Sequence, residues 1–394
     1  MIAGVGPVQI VEVRGKNATE TLRLIEETLG QKDLAAFFTL SYDLGLKLQN
    51  IPHQPKSGTE PDVFIALHDT VIVHDYTTGK TSLHGNEARF DELEEMLGKP
   101  HENAAETAKQ SSAKSNFTRA EYVSAVEAIQ EQIRSGYTYQ TNLTQQIAAQ
   151  LPCELSPATV FKRLRRDHPA PFAAFIEREG STVVSASPER FFKIKDGIIT
   201  TSPIKGTRPR GETTAADDAL KNELLTSEKD RAENTMIVDL LRNDIGRVCE
   251  FGSVKVEKLC DLEEHPTLFH LVSTISGKLR HDASLADILK AVFPCGSITG
   301  APKIKTMQII EKLEPDERGL SMGAIGYRMP KSFGVDTAEL DMSVAIRTMV
   351  IRGDTAVFNV GGGIVIDSRP ESEYDESLLK AKALLAALGA GNIS

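Results

Sequence analysis

The 394-residue sequence has no tryptophan and only four cysteines, at 153, 249, 260 and 295. None of the four forms a C-x-x-C pair or a Cys/His cluster, so neither a disulfide scaffold nor a zinc site is expected. Free thiols fit a reducing, cytoplasmic setting. Long apolar runs are missing as well. No stretch approaches the ~20 apolar residues of a membrane helix, and the opening MIAGVGPVQIVEV lacks the basic start and apolar core of a signal peptide. Positive charge is scarce: 45 Lys+Arg stand against 55 Asp+Glu, a net −10. That balance does not suit broad contact with nucleic acid or an anionic membrane, though it leaves room for a local basic pocket. There is no fixed-period repeat, no P-loop and no G-x-G-x-x-G. What remains is 40% hydrophobic and 25% charged, an ordinary globular composition. The length admits two or three domains or one large α/β unit.

One composition shift divides the chain. From Pro100 to Asn116 it reads PHENAAETAKQSSAKSN, polar and almost free of large apolar residues, the signature of an exposed connection. This suggests a short N-terminal subdomain over 1–110 and a main domain over 111–394. Thr118 and Glu121 form a capping box, and Tyr122, Val126, Ile129 and Ile133 recur at helical spacing up to a stop at Gly136. Strands are predicted near 138–148, 172–177, 183–186, 191–194, 198–201, 342–351 and 356–360. Helices are predicted near 228–241, 285–292, 302–313 and 371–388. Many strands with interspersed helices, and no strict βαβ alternation, indicate a mixed α/β or α+β unit.

Several residues carry possible chemistry. Asp230 and Glu233 in SEKDRAEN are three apart on one helix, as are Glu373 and Glu376 in ESEYDES, with Lys380 a turn further on. Two such pairs could converge on a hard cation such as Mg²⁺, although spacing alone in an acidic chain favours solvated surface acids. Gly361, Gly362 and Gly363 follow a strand-like run, either as a nest of N–H groups for an anion or as a sheet bend. Arg347 lies in an otherwise apolar or small run, SVAIRTM. There it needs an internal acid or a ligand carboxylate as partner. Lys205 lies in TSPIKGTRPRG; a lysine that is desolvated or set beside other cations can become a nucleophile. In FPCGSITGAPK a glycine-rich loop runs into a helix start that would favour an anion.

Taken in order, the segments YQTNLTQ, SASPERFF, SPIKGTRPRG, SEKDRAENTMIVDLLRNDIGRV, LFHLVSTISG, FPCGSITGAPK, RGLSMGAIGY and VGGGIV…ESEYDES resemble the chorismate-utilising enzymes. The likeness runs from about Asn116 to Leu388, with further matches in SYDLGLKLQNIP and PDVF. It implies a large chorismate-binding α/β fold of two packed β-sheets with surrounding helices, and Mg²⁺-dependent chemistry at the C4 hydroxyl of chorismate. Where anthranilate, isochorismate and salicylate synthases usually carry P-I-A-G-T or its equivalent, this chain has P-I-K-G-T. That form resembles component I of the aminodeoxychorismate synthases, which serve para-aminobenzoate and folate synthesis. Anthranilate synthase component I is the more distant alternative, and a non-catalytic chorismate-binding protein a third.

The resemblance also implies roles. Lys205 would add covalently to C2 of the ring, and Glu189 in SPER would be the general acid for the departing hydroxyl, with a raised pKa; the competing role for Glu189 is a salt bridge with Arg190 or another cation. Glu233 and Glu376 would ligate Mg²⁺, with Glu373 and Asp230 nearby or acting through water. Arg347, Gly361–Gly363, Lys380 and Thr207 would meet carboxylates of chorismate, and His270 would lie near the ring. Ser297 and Thr299 would line the loop before the 302 helix. Gln140 stands where some members carry a lysine base that activates water. A glutamine there does not fit isochorismate or salicylate formation. Ser321 replaces a tyrosine common in the family. No L-L-E-S-like segment is found, so tryptophan inhibition is not expected. No Cys/His/Glu glutaminase module is evident. Ammonia would come from a separate glutamine amidotransferase subunit or from solution.

Overall fold

Three largely antiparallel sheets of three, eight and ten strands organise the computed structural model, which describes residues 1–53, 58–99, 111–152, 154–265 and 268–393. Cys153 and the stretch 100–110 lie outside the described residues. The ten-stranded sheet runs from Ile204–Pro209 through Leu268–Lys278, Ile198–Ser202, Arg190–Lys195, Leu340–Val344 and Ala324–Arg328 to strands of the first 70 residues, Ala35–Leu40, Val63–His68 and Gln9–Val13. The eight-stranded sheet centres on Gln140–Gln150 paired with Thr355–Ile364. The two large sheets meet through Val183 and Val350 of one and Ile325 of the other, with Leu320 and Ala345. Helices Ala18–Leu29, Glu228–Gly246 and Leu285–Val292 cover the ten-stranded sheet. Helices Pro157–Asp167 and Pro370–Leu388 cover the eight-stranded one. This is the expected mixed architecture, layered because each of the two large sheets packs one face on helices and the other on its neighbour.

The strong local signals are realised. The capping box at Thr118 is formed in both directions and starts helix Arg119–Arg134. The helix predicted at 371–388 is observed as Pro370–Leu388, closed by Gly389 in the left-handed region at φ 67°. Two expectations need correction. The end of the polar stretch is not an exposed connection. Ser111–Ser115 is a strand that pairs antiparallel with Gln140–Gln150 and parallel with Ala390–Ile393. Its Ala113 is 1% exposed, because alternation on a covered edge needs only one small apolar residue to fill the inner face. The single strand predicted near 342–351 is two strands, Leu340–Val344 in the ten-stranded sheet and Thr348–Arg352 in the eight-stranded one. A continuous apolar run does not reveal a change of sheet, since both halves are buried alike.

That break positions the site. The chain also changes sheets between Ser181–Ser187 and Arg190–Lys195, and the two crossings lie side by side. The Ala186 N–H donates to Arg347 O at 3.0 Å, the Val344 N–H to Glu189 O at 3.0 Å, and Ser187 Oγ to Val344 O at 2.6 Å. Glu189 and Arg347 therefore sit at neighbouring gaps between the sheets.

Candidate active site

Glu189 is buried at 6% exposure, and its Oε1 accepts a hydrogen bond from Ser297 Oγ at 2.7 Å. Burial pushes its carboxyl up to about 7 against the downward pull of the Ser297 hydroxyl and the Lys205 charge. Arg190 does not pair with it: that guanidinium is engaged with both oxygens of Asp341 at 3.0 and 3.1 Å. Ser297 lies in a short turn, Gly296–Ile298, and its hydroxyl also meets Cys295 Sγ at 3.2 Å. Nothing in the sequence marks Cys295 as a neighbour of Glu189, because a lone buried thiol carries no motif. Thr299 turns its hydroxyl to the Cys295 and Gly296 carbonyls and so holds the loop.

Lys205 sits on a β-bulge. Strand Ile204–Pro209 pairs Ile204 with Val272 and Thr207 with His270, and the register shifts between them, at Lys205 and Gly206. A bulge re-aims a side chain that a regular strand would send to the other face. Gly206 adopts φ +87°, and a Cβ there would meet Leu224 at 2.9 Å and Asp230 at 3.0 Å. The Lys205 ammonium makes no hydrogen bond or ion pair with the described residues. Its electrostatic neighbours are Glu189, Glu233 and Glu376.

Beside it, His270 is 5% exposed, with Nδ1 2.9 Å from Thr207 Oγ1. Burial, then His265 and Arg347, push its pKa down to about 4, so the ring is neutral at pH 7. Thr207 itself is exposed. Arg347 adopts φ +47°, unusual for a side-chain-bearing residue. It is half-buried, burial lowers its pKa, and no described residue offers its guanidinium a hydrogen bond or an ion pair. A desolvated, unpaired guanidinium is suited to a carboxylate ligand.

The acids converge from two helices, without closing into a cage. Burial raises the Glu233 carboxyl, Lys205 and Lys229 oppose this, and Asp230 and Glu373 add to it. Burial raises Glu373 too, against a 2.7 Å bond from Ser368 Oγ. At Glu376 burial is outweighed by the Lys380 ammonium 2.9 Å away, and the carboxyl falls below its ordinary range. Lys380 also donates to Gly361 O at 2.8 Å. Asp230 turns aside to Arg208, at 3.1 Å. Among the described residues no three His, Cys, Asp or Glu side chains are gathered tightly enough to hold a metal.

The three glycines are inside strand Thr355–Ile364, not after it, and form neither bulge nor nest. The ladder to Gln140–Gln150 is continuous, with Gly361 opposite Thr144, Gly362 opposite Leu143 and Gly363 opposite Asn142. On the other side the pairing to Thr348–Arg352 reaches only Val357. What the glycines supply is space. A Cβ at Gly362 would lie 3.3 Å from Glu373 Oε2 and 3.4 Å from Lys380 Nζ, and one at Gly363 only 2.4 Å from Gln140 Nε2. Gln140 is fully buried, and neither atom of its amide has a protein partner among the described residues. Ser321 accepts a hydrogen bond from the Asn359 N–H at 3.1 Å and so braces this strand.

The sequence profile of the chorismate binding enzymes matches residues 5–386. The chain belongs to the chorismate-binding enzyme family. Aminodeoxychorismate synthase component 1 of Bacillus subtilis (strain 168) is 36% identical over 98% of this chain and 88% of its own length. Anthranilate synthase component 1 3 of Haloarcula marismortui is also 36% identical, over 98% of this chain and 82% of its own. The crystal structure of anthranilate synthase component I from Streptococcus pneumoniae TIGR4 superposes with a TM-score of 0.86 at 28% identity, covering 98% of this chain and 91% of that one. The protein is thus a chorismate-utilising enzyme, and the cluster around Lys205, Glu189 and Arg347 lies in the gap between its two large sheets. No described helix is long and apolar enough to cross a membrane.

Proposed function

We propose that this chain is the chorismate-aminating subunit of an aminodeoxychorismate synthase, converting chorismate and ammonia to 4-amino-4-deoxychorismate and water. The observation that carries the reading is Lys205, held on a bulge with no hydrogen-bond or ion-pair partner among the described residues and facing Glu189. Arg347 and neutral His270 orient the substrate: the guanidinium pairs with a carboxylate, and the uncharged imidazole leaves that pairing uncontested. Lys205, its proton given up to solvent, attacks C2 of the ring through Nζ. The ring double bonds shift, the C4–O bond breaks, and Glu189 delivers its proton to the departing oxygen, which leaves as water. Ammonia then attacks C4, the double bonds shift back, and the C2–Nζ bond breaks to release Lys205. The new C4 ammonium returns one proton to the Glu189 carboxylate. Atoms, charge and the proton on Glu189 balance over the cycle.

The donor set fits Mg²⁺: all carboxylate oxygens, two of the carboxyls raised by burial, and an open cradle at Gly362. Glu233 and Glu376 would hold the ion directly, with Glu373 and Asp230 in support. Bound there, it would polarise the ring carboxylate and ease departure of the C4 hydroxyl. Ammonia would be delivered by a separate glutamine amidotransferase, in line with the relatives named component 1.

The test is the purified chain with chorismate, Mg²⁺ and excess ammonium, products resolved by mass. The expected product is 4-amino-4-deoxychorismate without pyruvate, abolished in Lys205→Ala. Wild-type rates in Lys205→Ala would sink the proposal. The second reading, anthranilate synthase, has a relative of equal identity behind it; fluorescent anthranilate plus pyruvate would establish it.

A further inference from the structure

Behind the active-site loop lies a buried ion pair that the proposed chemistry does not use. Arg318 and Glu314 have side chains 1% and 4% exposed. Arg318 Nε donates to Glu314 Oε2 at 2.9 Å and Nη2 to Oε1 at 2.7 Å. The same guanidinium donates through Nη1 to Ile298 O at 3.1 Å and through Nη2 to Asn142 O at 2.7 Å. Glu314 Oε1 in turn accepts from the Thr144 N–H at 2.7 Å and from Thr144 Oγ1 at 3.0 Å. Tyr42 lies beneath the guanidinium, 4.5 Å from ring centroid to Cζ.

The contacts to Ile298, Asn142 and Thr144 each land next to a site residue. Ile298 follows Ser297, whose hydroxyl binds Glu189. Asn142 and Thr144 are the residues opposite Gly363 and Gly361. A buried ion pair is weak evidence for stability, because desolvation offsets its attraction. A rigid fork with five donors can instead tie separate segments together.

We propose that Arg318, locked by Glu314, is a positioning residue that sets the Gly296–Ile298 turn against the Gln140–Gln150 strand and thereby delivers the Ser297 hydroxyl to Glu189. The consequence for turnover rests on the proposed amination. The consequence for Glu189 does not. Besides Ser297, the groups among the described residues that face Glu189 are Lys205 and Cys295, and Arg318 touches neither.

Arg318→Lys keeps the charge beside Glu314 but cannot reach both carbonyls. The first readout is the protonated-carboxyl infrared band of Glu189 in substrate-free protein, isolated as the difference from the same protein carrying Glu189→Gln. Loss of the Ser297 bond removes a downward pull, so the midpoint should move to higher pH in Arg318→Lys, in the direction of Ser297→Ala. In a Ser297→Ala background, Arg318→Lys should add no further shift. The second readout is turnover: kcat should fall on the order of tenfold to a hundredfold, with KM for chorismate within about twofold. Glu314→Gln, which keeps an acceptor for Thr144, should shift the Glu189 midpoint in the same direction by less and serves if Arg318→Lys does not fold. An unshifted midpoint, or a shift that adds fully to that of Ser297→Ala, overturns the inference whatever the reaction proves to be. A shifted midpoint in a protein that makes no 4-amino-4-deoxychorismate would leave the inference standing and remove the proposed amination.

Discussion

Replacing Glu189 by glutamine should change the pH dependence of stability as well as activity. The carboxyl titrates near 4.5 in the unfolded chain and is pushed up to about 7 by burial in the fold. With the folded pKa raised, the folded state holds the proton over a window where the unfolded state has released it. The favourable contribution is therefore complete below pH 4.5 and is lost as pH rises towards 7. Each pH unit between those two midpoints is worth about 1.4 kcal/mol. The loss is therefore roughly 3 kcal/mol, undiminished by solvent because the group is buried. Glutamine preserves the acceptor for Ser297 Oγ and has no proton to release. Urea unfolding of both proteins at pH 5 and pH 8 measures the effect. The variant should gain roughly 2.5 kcal/mol on the wild type between the two conditions, since pH 5 already lies above the unfolded midpoint, while turnover falls about 10²–10⁴-fold for want of a proton donor. A stability difference that stays the same at both pH values would refute the burial argument. Unimpaired turnover would refute the assignment of Glu189 as the acid.

Four further outcomes are expected. Chelation should abolish turnover and added Mg²⁺ restore it, and Glu233→Gln or Glu376→Gln should raise the Mg²⁺ concentration needed, read by activity titration. Arg347→Met should raise KM for chorismate with little cost in stability, because no acid among the described residues is left unpaired; a thermal melt beside the steady-state kinetics checks both halves. Gly363→Ala should displace Gln140, since its Cβ would lie 2.4 Å from Nε2; overpacking of that kind costs about 1–3 kcal/mol, measurable by urea unfolding. Lys380→Met should raise the Glu376 carboxyl by removing the ammonium 2.9 Å away, seen as an infrared carboxyl band that persists to higher pH.

Much of this molecule is legible from residue order alone. The Thr118–Glu121 box and Gly389 mark helix ends because capping is a matter between residues a few positions apart. The residue types of the site are equally plain: Lys205 in P-I-K-G-T, the acids at 230, 233, 373 and 376, and the resemblance that gives them roles. What the one-dimensional pattern cannot carry is which segment pairs with which. Strand pairing joins residues such as Gly361 and Thr144, 217 positions apart, and no local periodicity encodes that register. So only the tertiary structure divides the 340–352 run between two sheets and leaves Arg347 at the corner. Only there does a slip of register aim Lys205 at Glu189. Asp230 and Glu233 share a helix face, yet Arg208 draws the first aside while the second stays with Lys205. Which side chains the site would hold follows from the sequence. Where each one points is set by long-range pairing and by the neutralising charge that folding brings alongside.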